Sequence, residues 1–360
     1  MTVGRIIRPG PTANEILRAR AVRHAVYFQR LRTHEVHQIV GILNRDVYPE
    51  IGAKLTAALR DALVTGEQLT VSAERLLRMQ ELTGQLVRAG LATVRDTLSE
   101  DLQAIAMSEA EWQVVTLAQA TPIEWDFTTP SPSTLRSLVT GDPLGSDPIA
   151  GWFDDITASA RDLVAKQLRT GIAGGETVDQ LVHRVIGTGG LVDRNRHQVE
   201  AVVRTSCTDV AARARAQTYQ DNADIVKGYQ FVATLDARTT LICASNDGKE
   251  FPNSDTEHAP PLHPNCRSTT TPVLRSWQEL GIPGLRELPP GARASLDGEV
   301  SDTTTFGSWL HGEPKDVQDE VLGPARGDLF RAGKFEVDEF VDQSGRKYTL
   351  AELRARDAMN

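Results

Sequence analysis

The stretch Gly228-Tyr229-Gln230-Phe231-Val232-Ala233-Thr234-Leu235-Asp236 decides the fold class, because here the apolar period drops from 3.6 to 2. Tyr229, Phe231, Ala233 and Leu235 alternate with Gln230, Val232 and Thr234, the pattern of a half-buried strand. Upstream of it the sequence reads as helix. From about Asp193 to Gln220, Val199, Val203, Cys207, Val210 and Ala214 share one face, which makes Cys207 a small core hydrophobe. Thr177 and Gln180 form a capping box for a preceding helix that Gly187, Gly189 and Gly190 close. Trp152, Phe153, Ile156, Leu163 and Leu168 mark another, ending near Gly171.

Further back, Leu17, Ala21, His24, Phe28 and Leu31, then Val36, Val40, Leu43 and Val47, recur at helical spacing. Pro49 is expected to break or kink that run, and a second segment through Ile51, Leu55, Leu59 and Leu63 is expected to end at Gly66. Ser72 is the expected N-cap of the next helix, with Val87, Leu91, Val94 and Leu98 on its stripe; Ser108 and Glu111 read as a capping box opening one more. The sequence thus predicts an α+β fold that is predominantly α-helical. An N-terminal helical bundle or hairpin spans 1–120, and a linker rich in Pro, Thr, Ser and Gly spans 121–150, including Thr128 to Ser133 and Gly141-Asp142-Pro143. A small α+β head domain with an antiparallel strand pair and an irregular Cys/His loop covers 151–275. A flexible connection follows at 276–305, carrying Gly281, Pro283, Gly284, Pro289, Pro290 and Gly291, and then an acidic extension at 306–360.

Composition narrows the function classes. The 360 residues carry 39 Lys plus Arg against 48 Asp plus Glu, a formal charge of -9, which argues against a general nucleic-acid coat. The charge is polarised: residues 1–60 hold ten basic and four acidic side chains, and the last 64 residues hold eight and 14. Arg18, Arg20, Arg23, Arg30 and Arg32 are therefore candidates for contact with DNA or an acidic protein surface; a solvated helix face is the plain alternative. Aromatics make up 5%, so aliphatic side chains are expected to fill most of the core. No apolar run approaches the roughly 18 to 20 residues that cross a bilayer and the first ten residues lack a signal-like stretch, so neither a membrane nor an exported protein is expected. Cys207, Cys243 and Cys266 are too few for a disulfide framework.

The segment after the strand is the least ordinary. Asp236, Arg238, Thr239, Thr240 and Cys243 precede an Asn246-Asp247-Gly248 turn; Pro260-Pro261-Leu262-His263-Pro264-Asn265-Cys266-Arg267 follows. His263 and Cys266 at H-x-x-C spacing, with Cys243, supply three donors of a zinc knuckle, and Asp247 or His258 would supply the fourth. The same residues also suit a hydrogen-bonded loop in which His263 caps carbonyls and the cysteines pack. A Cys266 thiolate paired with His263 would be a nucleophile, but no third orienting group is evident. Asp236 and Arg238 read as bracing the strand-to-turn junction. Phosphate-binding, zincin and nucleophile-elbow motifs are absent, and Glu109 with Glu111 is better read as capping.

Thr234-Leu235-Asp236, Arg238-Thr239, Cys243, Asp247-Gly248-Lys249, Phe251 and the Pro260 to Arg267 block together resemble the signature of the Mu F-like phage head morphogenesis proteins, also called minor head or minor capsid proteins. The resemblance extends over about 150–355. It takes in the helix with Arg204-Thr205 and Tyr219, and a tail with Trp309-Leu310, Gln318, Glu320, Val321, Leu322, Gly323, Arg326, Leu329, Phe330, Gly333 and Asp342 to Leu353. Cysteine-rich members place Cys where this chain has Thr240 and Ser268. The resemblance implies a non-enzymatic minor head protein of a virion, made in the bacterial host cytoplasm and located inside the head near the portal. Its implied partners are the portal protein oligomer, packaged double-stranded DNA, and the major capsid or scaffold. Asp236, Arg238, Thr239, Gly248, Pro264 and Arg267 would be its structural motif; the zinc set Cys243, His263, Cys266 and Asp247 is read from the residues themselves, and the family positions at Thr240 and Ser268 weaken it. A nuclease-like enzyme centred on His263, Arg267 and Arg238, or a zinc-stabilised DNA-binding module, are the competing readings.

Overall fold

The structure is a computed structural model that describes residues 12–63, 73–140, 149–187, 189–282, 292–295, 298–301, 304–342 and 344–358. The expected stop at Gly66, the cap at Ser72, the Gly141-Asp142-Pro143 turn and Pro283, Gly284, Pro289, Pro290 and Gly291 lie outside these residues. The fold is α+β and predominantly helical, as the periodicity predicts. Two compact units divide it: residues 1–29, 107–132 and 211–360 form one, and residues 30–106 and 133–210 the other. Neither is a continuous segment, because three long helices each belong partly to one unit and partly to the other.

Those helices are α1 (Ala13–Ile42), α3 (Ala73–Ala120) and α7 (Leu191–Asp221). A π-helical turn, Leu43–Val47, joins α1 to α2 (Tyr48–Leu63), so Pro49 does not break the run. It occupies the first turn of α2, where a missing N–H is tolerated, and the π turn absorbs the misfit upstream. The capping box expected at Ser108 and Glu111 is also absent: both are exposed mid-helix residues of α3, which runs unbroken for 48 residues.

In the all-helical unit, Ile39, Leu43, Leu55, Val87, Val94, Leu98, Val199, Val203 and Cys207 are fully buried, so the predicted stripes do face inward. Gly90 of α3 lies under Val47 of the π turn: a Cβ there would stand 2.4 Å from Val47 Cγ1. α5 (Ile149–Ala173) and α6 (Val178–Ile186) pack in the same unit, and α6 opens on the predicted Thr177/Gln180 capping box.

In the other unit, β1 (Val226–Val232) is the centre of a three-stranded antiparallel sheet, flanked by β2 (Glu250–Pro252) and β3 (Thr269–Leu274). The third strand, β2, is one more than the predicted pair. β1 is buried on both faces except at Lys227 and Gln230, rather than half-buried, because it is the middle strand and α3 and α7 supply Leu117 and Tyr219 to one core against it. Gly228 sits at its bulge, where a Cβ would meet Phe251 O at 2.2 Å. Residues 121–131 are not a free tether: the Asn222 side chain brackets Thr128, accepting from its N–H at 2.8 Å and donating to its carbonyl at 2.9 Å. Within the segment expected as a connection, β4 (Ala292–Ser295) and β5 (Gly298–Ser301) pair antiparallel. The acidic extension folds as α9 (Phe306–Gly312), α10 (Lys315–Leu322), α11 (Pro324–Arg331), a 3-10 turn (Val337–Phe340) and α12 (Leu350–Asp357). Its Phe306, Trp309, Phe330, Phe335 and Phe340 form a core with Leu235, Leu241 and Ala244.

Candidate functional site

α8 (Leu241–Asn246) and the loop from Asn253 to Ser268 lie beyond the ends of the sheet strands and carry the residues the sequence singled out. Two tight turns shape them. At Asn246-Asp247-Gly248-Lys249 the Lys249 N–H donates to Asn246 O at 3.0 Å; Asp247 has φ -58° and ψ 127° and Gly248 has φ 80°, the angles of a type II turn. At His263-Pro264-Asn265-Cys266 the Cys266 N–H donates to His263 O at 3.1 Å, with proline at the second position and Asn265 at φ 59°. Proline presets the first turn angle and asparagine tolerates the left-handed region, so the H-P-N-C block is a turn with His263 and Cys266 at its two ends.

Three fasteners hold this assembly. The first is ionic: Arg267 donates through both Nη atoms to the two carboxylate oxygens of Asp236. Asp236 Oδ1 also accepts from the Arg238 N–H at 3.0 Å, and Thr239 Oγ1 donates to Thr234 O at 2.6 Å. Burial alone would raise the Asp236 carboxyl, but the Arg267 fork outweighs it and holds the group below its usual range. Asp236 does brace the strand-to-turn junction, although its ionic partner is Arg267, and Arg238 contributes its backbone.

The second fastener is Asp247. Its Oδ1 accepts from the Ala233 N–H and its Oδ2 from the Phe306 N–H, each at 2.7 Å. Both oxygens are thus committed to backbone groups, which corrects the expectation of Asp247 as a fourth metal ligand. The alternative, His258, is also engaged elsewhere. It stacks on Phe251 with ring centroids 4.4 Å apart and meets Asp255 at 3.0 Å.

The third is the cluster of Cys243, His263 and Cys266, whose ligand atoms lie within 4.8 Å of one another. Cys243 Sγ is 3.2 Å from His263 Nε2 and 3.7 Å from Cys266 Sγ. The sulfurs are unbonded thiols buried among Phe231, Ala233, Ile242 and Leu262, and His263 is half-buried. The hydrogen bond between the two sulfurs lowers the Cys266 thiol and raises that of Cys243. Hydrogen bonding to Cys266 in turn raises His263. Ser268 places its hydroxyl against Cys243. Burial pushes the Cys207 thiol, far from this cluster in sequence, up to about 12, as suits the predicted core role.

The candidate basic face is only partly a surface. Arg23 and Arg30 are exposed, Arg18 and Arg20 are half-buried, and Arg20 donates to Gln119. Arg32 is withdrawn: it is 6% exposed and donates to Thr208. It leaves the candidate set, since a guanidinium spent inside the helical packing cannot meet phosphate.

A buried ionic group had no separate signal in the sequence. Glu109 of α3 is 2% exposed and meets Arg215 Nη1 at 3.1 Å, His24 Nε2 at 2.7 Å and Gln113 Nε2 at 2.9 Å. Burial would raise its carboxyl; Arg215 first, then His24 and Gln113, bring it down to about 2. Trp112 stacks on His24 at 3.7 Å. Among the described residues, no helix is long and apolar enough to cross a membrane.

No curated protein and no solved structure matches the chain. Residues 162–271, which contain β1, α8, β2 and all but the Phe306 end of the three fasteners, match the model of the family described as phage Mu protein F like protein; over that span the chain carries a Mu F-like domain.

Proposed function

We propose that this chain is a minor head protein acting in phage head morphogenesis at the portal vertex, with a part in DNA packaging or delivery. The observation that carries the reading is the Mu F-like match over residues 162–271. The local chemistry supports a binding role. The conspicuous residues of the motif are committed to one another: Arg267 to Asp236, Asp247 to Ala233 and Phe306, Cys243 to His263 and Cys266. A motif whose polar groups are satisfied internally holds loops in one shape, as an assembly surface requires.

The partner-facing side is carried by α1 and the C-terminal end of α3. A groove there is lined by Arg20, Arg23, His24, Tyr27, Trp112 and Val115, and Val26, Tyr27, Met107 and Val115 are exposed. Tyrosine, tryptophan and arginine around apolar side chains compose a protein-binding patch better than a phosphate track, which needs cations in series. The portal oligomer is accordingly the occupant we assign to this groove.

The full chain is to be co-expressed with a portal protein from the same genome and the assembly sized. Co-elution with the portal ring, abolished by Tyr27→Ala combined with Arg23→Glu, supports the reading. Association only with duplex DNA, falling steeply with salt, transfers this surface to nucleic acid. Cleavage of that DNA, abolished by His263→Ala, transfers the site to the enzyme class.

A further inference from the structure

We infer that Cys243, His263 and Cys266 form a three-donor binding site for a thiophilic divalent cation of the zinc class, with solvent completing the coordination on the His263 side. The inference rests on the chemistry of the three side chains and is independent of the head-assembly reading.

Distances come first. A tetrahedral ion with sulfur at about 2.3 Å and nitrogen at about 2.1 Å sets ligand edges of about 3.8 Å between sulfurs and about 3.6 Å between sulfur and nitrogen. The two sulfurs stand 3.7 Å apart, already at that edge, and far outside the roughly 2.05 Å of a disulfide. The separation of Cys243 Sγ from His263 Nε2, 3.2 Å, needs to open by a few tenths of an ångström, which a half-buried imidazole at a turn can supply.

The histidine is oriented for the task. Its Nδ1 lies 2.9 Å from the Pro264 carbonyl oxygen, which can only accept, so Nδ1 carries the proton. In the neutral ring the lone pair is then on Nε2, and Nε2 is the atom that faces the sulfurs. Fixing a ligating imidazole through its other nitrogen is the usual outer-shell arrangement of metal sites. The sulfurs have comparable support. Backbone groups of Leu262 and Ser268 hydrogen-bond Cys266, and the Ser268 hydroxyl lies on Cys243, donors that would support thiolate ligands.

The surroundings decide between packing and ligation. Two thiols that merely filled space would need neither an imidazole directed at them nor donors around them. Here Phe231, Ala233, Ile242 and Leu262 exclude water from the sulfurs, and His263 is the one member of the trio with partial access to solvent. Two thiolates and an imidazole favour zinc over hard cations, which take oxygen ligands. Loading would join α8 to the 262–268 turn at one point, while Arg267 ties the same turn to Asp236 at the strand-to-turn junction.

The test uses the full chain, purified without chelators, passed through a desalting column and analysed for metal content, then stripped and titrated with Co2+. The expected result is one equivalent of zinc per chain. The cobalt form should show intense visible bands of a tetrahedral site and a near-ultraviolet sulfur-to-cobalt band. Cys266→Ser should abolish that sulfur-to-cobalt band's full intensity and lower the affinity at least tenfold, with Cys207→Ser unchanged. If Cys266→Ser fails to fold, His263→Gln, a change at a half-buried loop position, must still weaken cobalt binding at least tenfold. Three results would each overturn the inference: no metal retained after incubation with zinc, a cobalt spectrum without the sulfur band, or a Cys243–Cys266 disulfide in the freshly isolated chain.

Discussion

Asp247 shows how much one side chain can hold. It is 7% exposed and its two oxygens satisfy two backbone N–H groups 73 residues apart in sequence, Ala233 and Phe306. Asp247→Ala leaves both N–H groups buried without that acceptor, a loss of about 2 to 5 kcal/mol, measurable by urea unfolding. Asp247→Asn keeps one acceptor and should fall between that variant and the parent. Glu109 makes a second residue-scale prediction. Arg215→Met strands a buried carboxylate and should lower stability by about 3 to 5 kcal/mol, whereas Arg215→Met with Glu109→Leu should recover most of it, because the charge to be solvated is gone as well. The acid limit follows from the same group. The folded carboxyl sits at about 2 against an ordinary 4.5, so its contribution is fully present above about 4.5 and is lost as pH falls from there toward 2. An acid titration followed by circular dichroism should therefore show the parent's unfolding midpoint shifting toward neutral pH in Arg215→Met. An unchanged midpoint would remove Glu109 as a determinant.

At the scale of elements, local signals were legible where the cause is local. The Asn246-Asp247-Gly248 turn could be read because Gly248 is needed at positive φ, and the Thr177/Gln180 box because its donors lie three residues apart; His263 to Cys266 was legible only as an irregular loop, and the structure makes it a turn with Asn265 at positive φ. The box expected at Ser108 and Glu111 has the same spelling, yet Ala106, Glu109, Ala110, Gln113 and Leu117 bury one continuous face of α3 and carry the helix through it. Asp247's role was hidden for the converse reason: one of its partners lies 59 residues away. The contact between the π turn and α3 makes an element-scale prediction. Gly90→Ala gains about 1 kcal/mol of helix propensity but drives a methyl into Val47 Cγ1, a stiff branched side chain that cannot swing aside. Overpacking of about 1 to 3 kcal/mol should win, so the variant melts lower than the parent. Adding Val47→Ala should return part of the loss.

Across the whole molecule, the charge polarity and the low aromatic count both acquire a structural meaning. The aliphatic core expected from composition is the core of the long helices. Six of the 19 aromatics lie in the acidic extension, where Phe306, Trp309, Phe330, Phe335 and Phe340 pack on α8 of the Mu F-like motif. The extension is thus a packed part of the unit that carries the motif, held there by Asp247 as well as by apolar area. The basic end is divided: Arg32 serves the helix packing, and Arg23 and Arg30 remain outside. With Tyr27, Val26 and Val115 exposed beside Arg23, this region is the surface on which the proposed assembly role depends.

The most direct measurement of the proposed role is the size of the complex formed when the full chain is co-expressed with a portal protein from the same genome and separated by gel filtration with light scattering. The chain is expected to elute with the portal ring, and Tyr27→Ala with Arg23→Glu, still folded by circular dichroism, to elute alone. A parent chain that elutes alone at every salt concentration, indistinguishable from that variant, would contradict it.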